Sequence, residues 1–204
     1  MPAEVKIIDT GIANMGSITR ALDELQVPYA ICNALSFSKS PSTHIILPGV
    51  GSFSEGISNL KHNDFSNLID YEVKKGAYVL GICLGMQLMF ATSDEDPEKS
   101  QGLHIFDDKV IRLPKIKDKY WPHIGWSSVK LTRESLLTRS IDDNEDFYFI
   151  HGFAAQISSY TIGQSHFGFE FSAIVEKDNV FGVQFHPEKS QAAGMKLLSN
   201  FCRL

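Results

Sequence analysis

The sequence predicts an α/β protein with a central, mostly parallel sheet flanked by helices and extended by additional antiparallel strands. In the first half, short apolar runs such as residues 77–80 are bounded by glycine or charged residues, as is typical of parallel strands buried on both faces. Amphipathic segments long enough to be crossover helices separate these runs. After residue 102 the pattern changes to short strand-like segments, which indicates antiparallel hairpins.

The composition is that of one globular domain, which we predict over residues 1–204. The chain is 43% hydrophobic and 21% charged, which suits a single substantial core. Its net charge of −5 makes nucleic acid or an anionic membrane an unexpected partner. The three cysteines include no CxxC pair and are too few for a disulfide framework. Because residues 1–10 lack an apolar leader and no run has membrane-spanning length, we expect a cytoplasmic protein.

The first half of the chain alternates strands and helices. Strands are predicted at residues 5–8, 29–32 and 44–47. The helix after the first strand presents an apolar face made of Ile18, Ala21, Leu22 and Leu25. Residues 53–75 predict one or two helices with a break near 61–64. The acidic stretch 93–102 contains Pro97 and is expected to be a surface loop, and no function need be assigned to its charges.

The second half is predicted to add strands and one closing helix. The strand segments are residues 109–113, 127–131, 147–150, 161–165, 173–176 and 180–184. A terminal helix is predicted over residues 191–204. Its candidate buried positions are Ala192, Met195, Leu197, Leu198 and Phe201.

Cys83 lies at the most informative turn of the sequence. Gly81 and Gly85 flank it in the pattern G-x-C-x-G, the thiol form of the nucleophile elbow, in which small neighbours permit a sharp turn from strand to helix. The helix is predicted to continue over residues 86–90. A sulfur at the start of a helix is favoured as the thiolate, so Cys83 is a candidate nucleophile. Free cysteines are also commonly buried for structural reasons alone. Whether Cys83 is a nucleophile or a structural residue therefore depends on whether the chain supplies a base elsewhere.

His186 and Glu188 offer such a base. They follow the strand predicted at residues 180–184, and Pro187 between them stiffens the turn. The carboxylate can therefore orient the imidazole, which completes a nucleophile, base and orienting acid. Taken alone, H-P-E also fits an ordinary polar turn. The sequence PGVG at residues 48–51 is similarly ambiguous, since its glycines permit either a simple turn or amides directed at a developing negative charge.

The motifs together resemble those of the class I glutamine amidotransferases. The resemblance rests on PGVG (48–51), GICLGMQ (81–87) and GVQFHPEKS (182–190), in this order across most of the chain. It implies the fold of that family and hydrolysis of L-glutamine to glutamate and ammonia. PHIGW (122–126) and the opening DTGIANMGS (9–17) narrow the resemblance to the glutaminase subunits of imidazole glycerol phosphate synthase. Such a subunit passes ammonia to a (β/α)8-barrel cyclase, which makes imidazole glycerol phosphate and AICAR in histidine biosynthesis.

The resemblance also implies roles for individual residues. Cys83 would attack the glutamine amide, His186 would transfer protons and Glu188 would hold the imidazole. The oxyanion hole would comprise the amide of Leu84 and an amide of the loop at Val50 and Gly51, a loop that in this family reorients under control of the partner. Glutamine would contact Gly49, Gly51, Gln87, His151, Gly152 and Phe153. The cyclase would contact Asn14, Trp126 and Lys189, which as isolated residues also fit a turn, a core aromatic and a solvated side chain. The resemblance implies no cofactor, and the histidines and cysteines show no metal-ligand spacing.

Two departures from the family pattern leave the partner open. Ser127 stands where asparagine usually follows the GW pair, and HGF at 151–153 stands where HSY or HSF is usual. Paralogous subunits supply ammonia to a sugar amidotransferase in bacterial surface polysaccharide synthesis, which is the alternative function. A non-catalytic scaffold and a standalone hydrolase on the same fold are further alternatives, against which the intact triad and PHIGW argue respectively.

Overall fold

The structure is a computed structural model that describes residues 4–37, 43–116 and 121–204. We expect no leader peptide from residues 1–10, and the first three of these residues lie outside the described ranges. The strands are β1 (Val5–Ile8), β2 (Tyr29–Cys32), β3 (His44–Leu47), β4 (Tyr78–Ile82), β5 (Phe90–Ser93), β6 (Phe106–Arg112), β7 (His123–Leu131), β8 (Glu145–His151), β9 (Phe153–Ala155), β10 (Thr161–His166), β11 (Glu170–Lys177) and β12 (Val180–Val183). The helices are α1 (Met15–Glu24), α2 (Ala34–Phe37), α3 (Phe53–His62), α4 (Phe65–Lys74), α5 (Leu84–Leu88) and α6 (Gln191–Phe201).

One nine-stranded sheet organises the molecule, in the order β2-β1-β3-β4-β12-β11-β10-β7-β8. Its first five strands are parallel to their neighbours. From β11 to β8 the pairing is antiparallel. A smaller sheet joins β5, β6 and β9. The predicted α/β class, with a mostly parallel centre and added antiparallel strands, is confirmed.

The adjacent pair β4 and β12 positions the site. The two strands are parallel and in register, with Ile82 opposite Val183. Ligand sites in such sheets lie at the carboxyl ends of the strands. The chain segments that leave β4 and β12 carry Cys83 and His186, so the register brings both to the same edge of the sheet.

The sheet separates two hydrophobic cores, and alternate residues of its strands enter different ones. Ile7 packs in the same core as Leu22 of α1 and Leu198 of α6, whereas Ile8 packs in the core that contains Ile57 of α3. All four residues of β1 are buried, which explains why its sequence is a continuous apolar run. Each such aliphatic side chain contributes about 1.5–3 kcal/mol by leaving water. No helix within the described ranges has the length and apolarity needed to cross a bilayer.

The prediction of a helix over residues 86–90 is wrong at its C-terminal end. α5 ends at Leu88, and Phe90 begins β5. The ring of Phe90 packs on that of Phe106 with centroids 5.1 Å apart, and the two residues are paired in the small sheet. An apolar run of this length fits either a helix or a strand, and long-range pairing decides between them here.

The terminal helix also differs from its prediction. α6 ends at Phe201 instead of reaching residue 204, and Ala192 is exposed while Met195 is only half-buried. The face that enters the core is formed by Gly194, Leu197, Leu198 and Phe201. The strand β9, which has three residues, was not predicted because so short a segment has no readable alternation.

Candidate active site

Cys83 occupies a strained turn between β4 and α5. Its backbone angles are φ 53° and ψ −111°, outside the region that residues other than glycine favour. The flanking glycines make the turn possible, because a Cβ at Gly81 would lie 2.7 Å from the amide nitrogen of Met86 and one at Gly85 would collide with the carbonyl oxygen of Leu47. The elbow predicted from the sequence is therefore present.

His186 and Glu188 form a close, buried pair. The Nδ1 atom of His186 lies 2.9 Å from Oε1 of Glu188, and their side chains are 6% and 1% exposed. Pro187 begins a short 3-10 turn that ends at Lys189 and directs both side chains inward. Glu188 can thus hold one ring nitrogen of His186 while the other faces Cys83.

The turn that carries His186 is anchored to β8. The backbone amide of His186 donates to the carbonyl of Tyr148 at 2.9 Å. Ser190 completes the anchor, because its hydroxyl donates to the carbonyl of His186 at 2.7 Å and accepts from the amide of Tyr148 at 3.0 Å.

The environment of His186 favours the imidazolium form. Burial alone would lower the pKa of His186, but hydrogen bonds with the side chains of Cys83 and Glu188 outweigh it and raise the pKa to about 10. Among the described residues, the second oxygen of Glu188, Oε2, is buried without a hydrogen-bond partner. The carboxylate therefore depends on the positive imidazolium for its compensation.

A cleft of about 340 Å³ opens in front of Cys83 and His186, a volume that suits an amino acid. The predicted site residues that line it are Asn14, Val50, Gly51, Cys83, Leu84, Gln87, His151, Gly152, Phe153, His186 and Lys189. Glu188 lies behind His186, and Gly49 packs against the elbow, where a Cβ would lie 3.0 Å from the amide nitrogen of Gly85. A larger cleft of about 810 Å³ along residues 131–143 contains none of these residues.

The first amide of the loop at Val50 and Gly51, the N–H of Val50, points away from the sulfur of Cys83. The N–H of Val50 donates to the carbonyl of Ile12 at 2.9 Å, so it is not directed into the cleft. Gly51 follows with φ 99°, a conformation that favours glycine. In this orientation the amide of Val50 cannot stabilise an oxyanion, whereas the amide of Leu84 starts α5 directly after Cys83.

His151 forms part of a buried relay that links β7 to the cleft wall. Its Nδ1 donates to the carbonyl of Phe153 at 2.9 Å, which leaves Nε2 to accept from Nδ1 of His123 at 3.0 Å. The other nitrogen of His123 lies 2.9 Å from the hydroxyl of Ser127, which therefore donates. Burial lowers the pKa of His151 to about 3, so this ring is neutral. Ser127, at a position where the family pattern has asparagine, serves as the outer donor of the relay.

Glu95 is a site residue that the sequence analysis missed. Its carboxylate lines the cleft and accepts from the amide of Phe53 at 2.8 Å. Burial raises the pKa of this carboxyl. The sequence pattern assigns no function to the charges of residues 93–102, and the structure brings one of them, Glu95, into the cleft. The loop that carries Glu95 is ordered by Asp96, whose side chain accepts from the amides of Glu98 and Ser100.

The three residues predicted at a partner interface have different surroundings. Asn14 and Lys189 line the mouth of the cleft. Trp126 is 46% exposed, and its ring packs against that of Tyr148 with centroids 5.7 Å apart. Ile124, on the same face of β7, is 59% exposed. An apolar surface thus lies next to the strand that anchors His186.

Within residues 4–37, 43–116 and 121–204, no group of three or more histidine, cysteine, aspartate or glutamate side chains is placed to hold a metal ion.

The sequence of residues 6–204 matches the family described as glutamine amidotransferase class-I. The match spans nearly the whole chain, and the chain belongs to this family. Solved structures support the same fold: PurLQS from Thermotoga maritima superimposes with a TM-score of 0.74 at 17% identity, covering 100% of this chain and 99% of that one. A glutamine amidotransferase from the same organism gives a TM-score of 0.65 at 20% identity, covering 97% of this chain and 81% of that one.

Within the family, the chain groups with subunits named HisH. Imidazole glycerol phosphate synthase subunit HisH of Moorella thermoacetica is 38% identical, over 98% of this chain and 94% of its own length. The HisH subunit of Vibrio parahaemolyticus is 40% identical over 98% of both chains. That of Vibrio cholerae is 38% identical over the full length of both. The family resemblance stated from the motifs is confirmed.

Proposed function

We propose that this chain is a glutaminase subunit that hydrolyses L-glutamine and delivers the ammonia to a (β/α)8-barrel cyclase for imidazole glycerol phosphate synthesis. The observation that carries the proposal is the cleft in which Cys83 meets a histidine whose other nitrogen is 2.9 Å from Glu188. The names of the HisH relatives support the pathway. Residues 1–204 act as one glutaminase domain, which we place in the cytoplasm.

In the first half of the reaction, the sulfur of Cys83 attacks the side-chain amide carbon of glutamine. His186 donates its proton to the departing nitrogen, so the C–N bond breaks, ammonia leaves and a γ-glutamyl thioester remains. The raised pKa of His186, about 10, supports this role, because the ring holds the proton until the leaving group needs it.

In the second half, His186 acts as the base. It takes a proton from water while the resulting hydroxide attacks the thioester carbon, the C–S bond breaks and glutamate leaves. Glu188 keeps the imidazole in the orientation that both proton transfers require. The thiolate and the imidazolium are then restored.

Charge on the carbonyl oxygen would be stabilised by the amide of Leu84 and by one amide of the loop at Val50 and Gly51. Because the N–H of Val50 is bonded to Ile12, we propose that this peptide must rotate before the oxyanion hole is complete. The cyclase, docking beside the cleft, would supply the free energy for that rotation, which makes hydrolysis depend on the partner.

Substrate specificity follows from the polar walls of the cleft. Glu95 is placed to bind the α-ammonium group of glutamine, since a half-buried carboxylate gains from a cationic partner. Backbone groups of Gly51, Gly152 and Phe153 complete the pocket together with Gln87 and His151. The cyclase would cover the cleft through Asn14, Trp126 and Lys189.

The sugar amidotransferase alternative rests only on the departures at Ser127 and at residues 151–153. The relatives described above, matched over at least 94% of their own lengths, carry the HisH name instead. In the structure Ser127 replaces the usual asparagine with another hydrogen-bond donor, so this departure does not require a different partner.

Glutamate release from glutamine tests the proposal, measured for the purified chain alone and with the cyclase of the same organism plus its ribonucleotide ligand. We expect low basal release and strong stimulation. Cys83→Ala should abolish release, while Cys32→Ala, a matched change at another buried thiol, should retain it. Absence of release in both mixtures with no labelling of Cys83 by a diazo-oxo-norleucine reagent would refute the glutaminase assignment. Labelling without stimulation would instead indicate a different acceptor enzyme.

A further inference from the structure

We propose that Gln184 stabilises the Cys83 thiolate by donating an amide N–H to its sulfur, and that a backbone carbonyl fixes which end of the Gln184 amide faces the sulfur. This inference rests on the proposed function, because it assigns Gln184 a part in activating the nucleophile.

Gln184 follows β12 directly and its side chain is completely buried. Its Nε2 lies 3.8 Å from the sulfur of Cys83, within the range for a hydrogen bond to sulfur. Its Oε1 lies 3.0 Å from Nε2 of Gln87. A buried amide whose two ends are both engaged is held in one orientation.

The orientation of both amides can be deduced from one acceptor. The carbonyl oxygen of Phe153 can only accept, so Gln87, which approaches it at 2.8 Å, must present its NH₂ group there. The second hydrogen of that group then faces Gln184, so Gln184 must accept it through its Oε1 atom. The Nε2 of Gln184 is consequently turned toward Cys83. A flipped Gln184 would set two donors against each other and place an oxygen beside the sulfur.

The carbonyl of Phe153 is itself held by a second donor. The ring of His151 donates to it at 2.9 Å, and that ring is fixed in turn by His123. The Nδ1 of His151 donates to this carbonyl, and because burial lowers the pKa of His151 to about 3, the ring is neutral and Nε2 is free to accept from His123. The acceptor that determines the orientation of Gln87 and Gln184 therefore has a constant position.

The sulfur of Cys83 has different partners in its two protonation states. As a thiol it can donate to the carbonyl of Ile150 at 3.7 Å, and that same oxygen disfavours a negative sulfur. As a thiolate it accepts from His186 and from Gln184. Gln184 thus offsets the effect of the Ile150 carbonyl and favours the reactive form.

The test is the rate of Cys83 alkylation by iodoacetamide at neutral pH, followed by mass spectrometry on the intact chain. In Gln184→Met, which keeps the length but removes the amide, alkylation should be about ten-fold slower, as expected for the loss of one hydrogen bond to a charged group. Gln184→Leu, a second apolar variant without a donor, should slow it to a similar extent. Gln164→Met is the matched control, because Gln164 lies on β10 outside the cleft.

The same variants are assayed for partner-stimulated glutamate release, where kcat should fall and KM should change little. An unchanged alkylation rate in both Gln184 variants, with a wild-type chain that hydrolyses glutamine, would overturn this inference and leave the proposed function intact. A wild-type chain that hydrolyses no glutamine would overturn the proposed function itself. If Gln184→Met does not fold, Gln184→Leu decides the outcome on its own.

Discussion

The amide of His186 donates to the carbonyl of Tyr148 at 2.9 Å, and the ring of Tyr148 packs on the outside against Trp126. His186, which we propose to be catalytic, is therefore attached by its backbone to the strand next to the exposed apolar surface. Any displacement of β8 by a partner would reach His186 through this hydrogen bond. The proposed chemistry and the proposed docking surface thus share one structural element.

Ser190 is expected to matter for activity although it does not line the cleft. Ser190→Ala removes the hydroxyl that bridges the carbonyl of His186 and the amide of Tyr148. The amide of Tyr148 loses this acceptor, whereas the carbonyl of His186 still accepts from the amide of Lys189 at 3.0 Å. We expect a loss of about 1–3 kcal/mol in the free energy of unfolding, measured by urea denaturation. The kcat for glutamate release should fall while KM stays near the wild-type value.

Ser199→Ala is the control for this change, because Ser199 is half-buried on α6 away from the cleft. It should leave both stability and kcat close to wild type. Equal effects of the two substitutions on kcat would contradict the role assigned to Ser190.

The pair of His186 and Glu188 should make stability depend on alkaline pH. The pKa of His186 is raised from 6.5 to about 10 in the folded chain, so between these values the folded state binds the proton that the unfolded state has lost. The free energy of unfolding contributed by this group is fully present below about pH 6.5. It is lost as the pH rises toward 10.

Glu188→Gln tests this linkage, because it preserves the size of the side chain but removes the charge that supports the imidazolium. Urea denaturation at about pH 6.5 and about pH 9.5 should show a smaller decline in stability for the variant than for wild type. A decline of the same size in both chains would mean that His186 does not titrate as described.

Much of the site was readable from the sequence because its groups lie in local motifs. The glycines around Cys83 identify an elbow, and His186, Pro187 and Glu188 are consecutive, so their pairing needs no knowledge of the fold. The register of β4 and β12 then brings these two motifs together, as expected for a parallel sheet. The local motifs thus predicted which side chains meet in the cleft and the strand ends that bear them.

The residues that were missed act through contacts between distant segments. Glu95 enters the cleft because its loop packs against the start of α3, 42 positions earlier. Gln184 reaches the sulfur 101 positions earlier in the chain, and neither contact has a local pattern. Phe90 fits a helical pattern because the partner that makes it a strand, Phe106, lies across a loop. The hydrophobic periodicity of a segment reports only that segment's own surroundings, so contacts between distant segments cannot be predicted from it.

Glu95 should govern substrate binding more than chemistry. Glu95→Gln keeps an acceptor for the amide of Phe53 but removes the charge proposed to hold the α-ammonium group. We expect KM for glutamine to rise about ten-fold or more, the equivalent of one charge-assisted hydrogen bond, with a smaller change in kcat. Steady-state kinetics of partner-stimulated glutamate release measures both.

Glu98→Gln is the matched control in the same loop, since Glu98 is exposed and does not line the cleft. Its KM should equal that of wild type. A raised KM in Glu98→Gln, or an unchanged KM in Glu95→Gln, would contradict the assignment of the ammonium site.

Trp126 should separate docking from catalysis. Its exposed ring lies on the face of β7 that we propose to contact the cyclase, and large aromatic side chains in interface centres commonly contribute about 2 kcal/mol or more, about a thirty-fold change in affinity. Trp126→Ala should therefore weaken binding of the cyclase, measured by titration calorimetry, and lower stimulated glutamate release at limiting cyclase. Basal release and labelling of Cys83 should stay unchanged, because the ring does not line the cleft.

Leu136→Ala provides the comparison, because Leu136 is also a large exposed apolar residue, 54% accessible, but lies at the larger cleft along residues 131–143. If this surface takes no part in docking, Leu136→Ala should bind the cyclase as wild type does. Equal weakening by both substitutions would mean that the partner covers a different or wider face than the one next to β8. The backbone link from Tyr148 to His186 would then no longer explain how docking reaches the catalytic histidine.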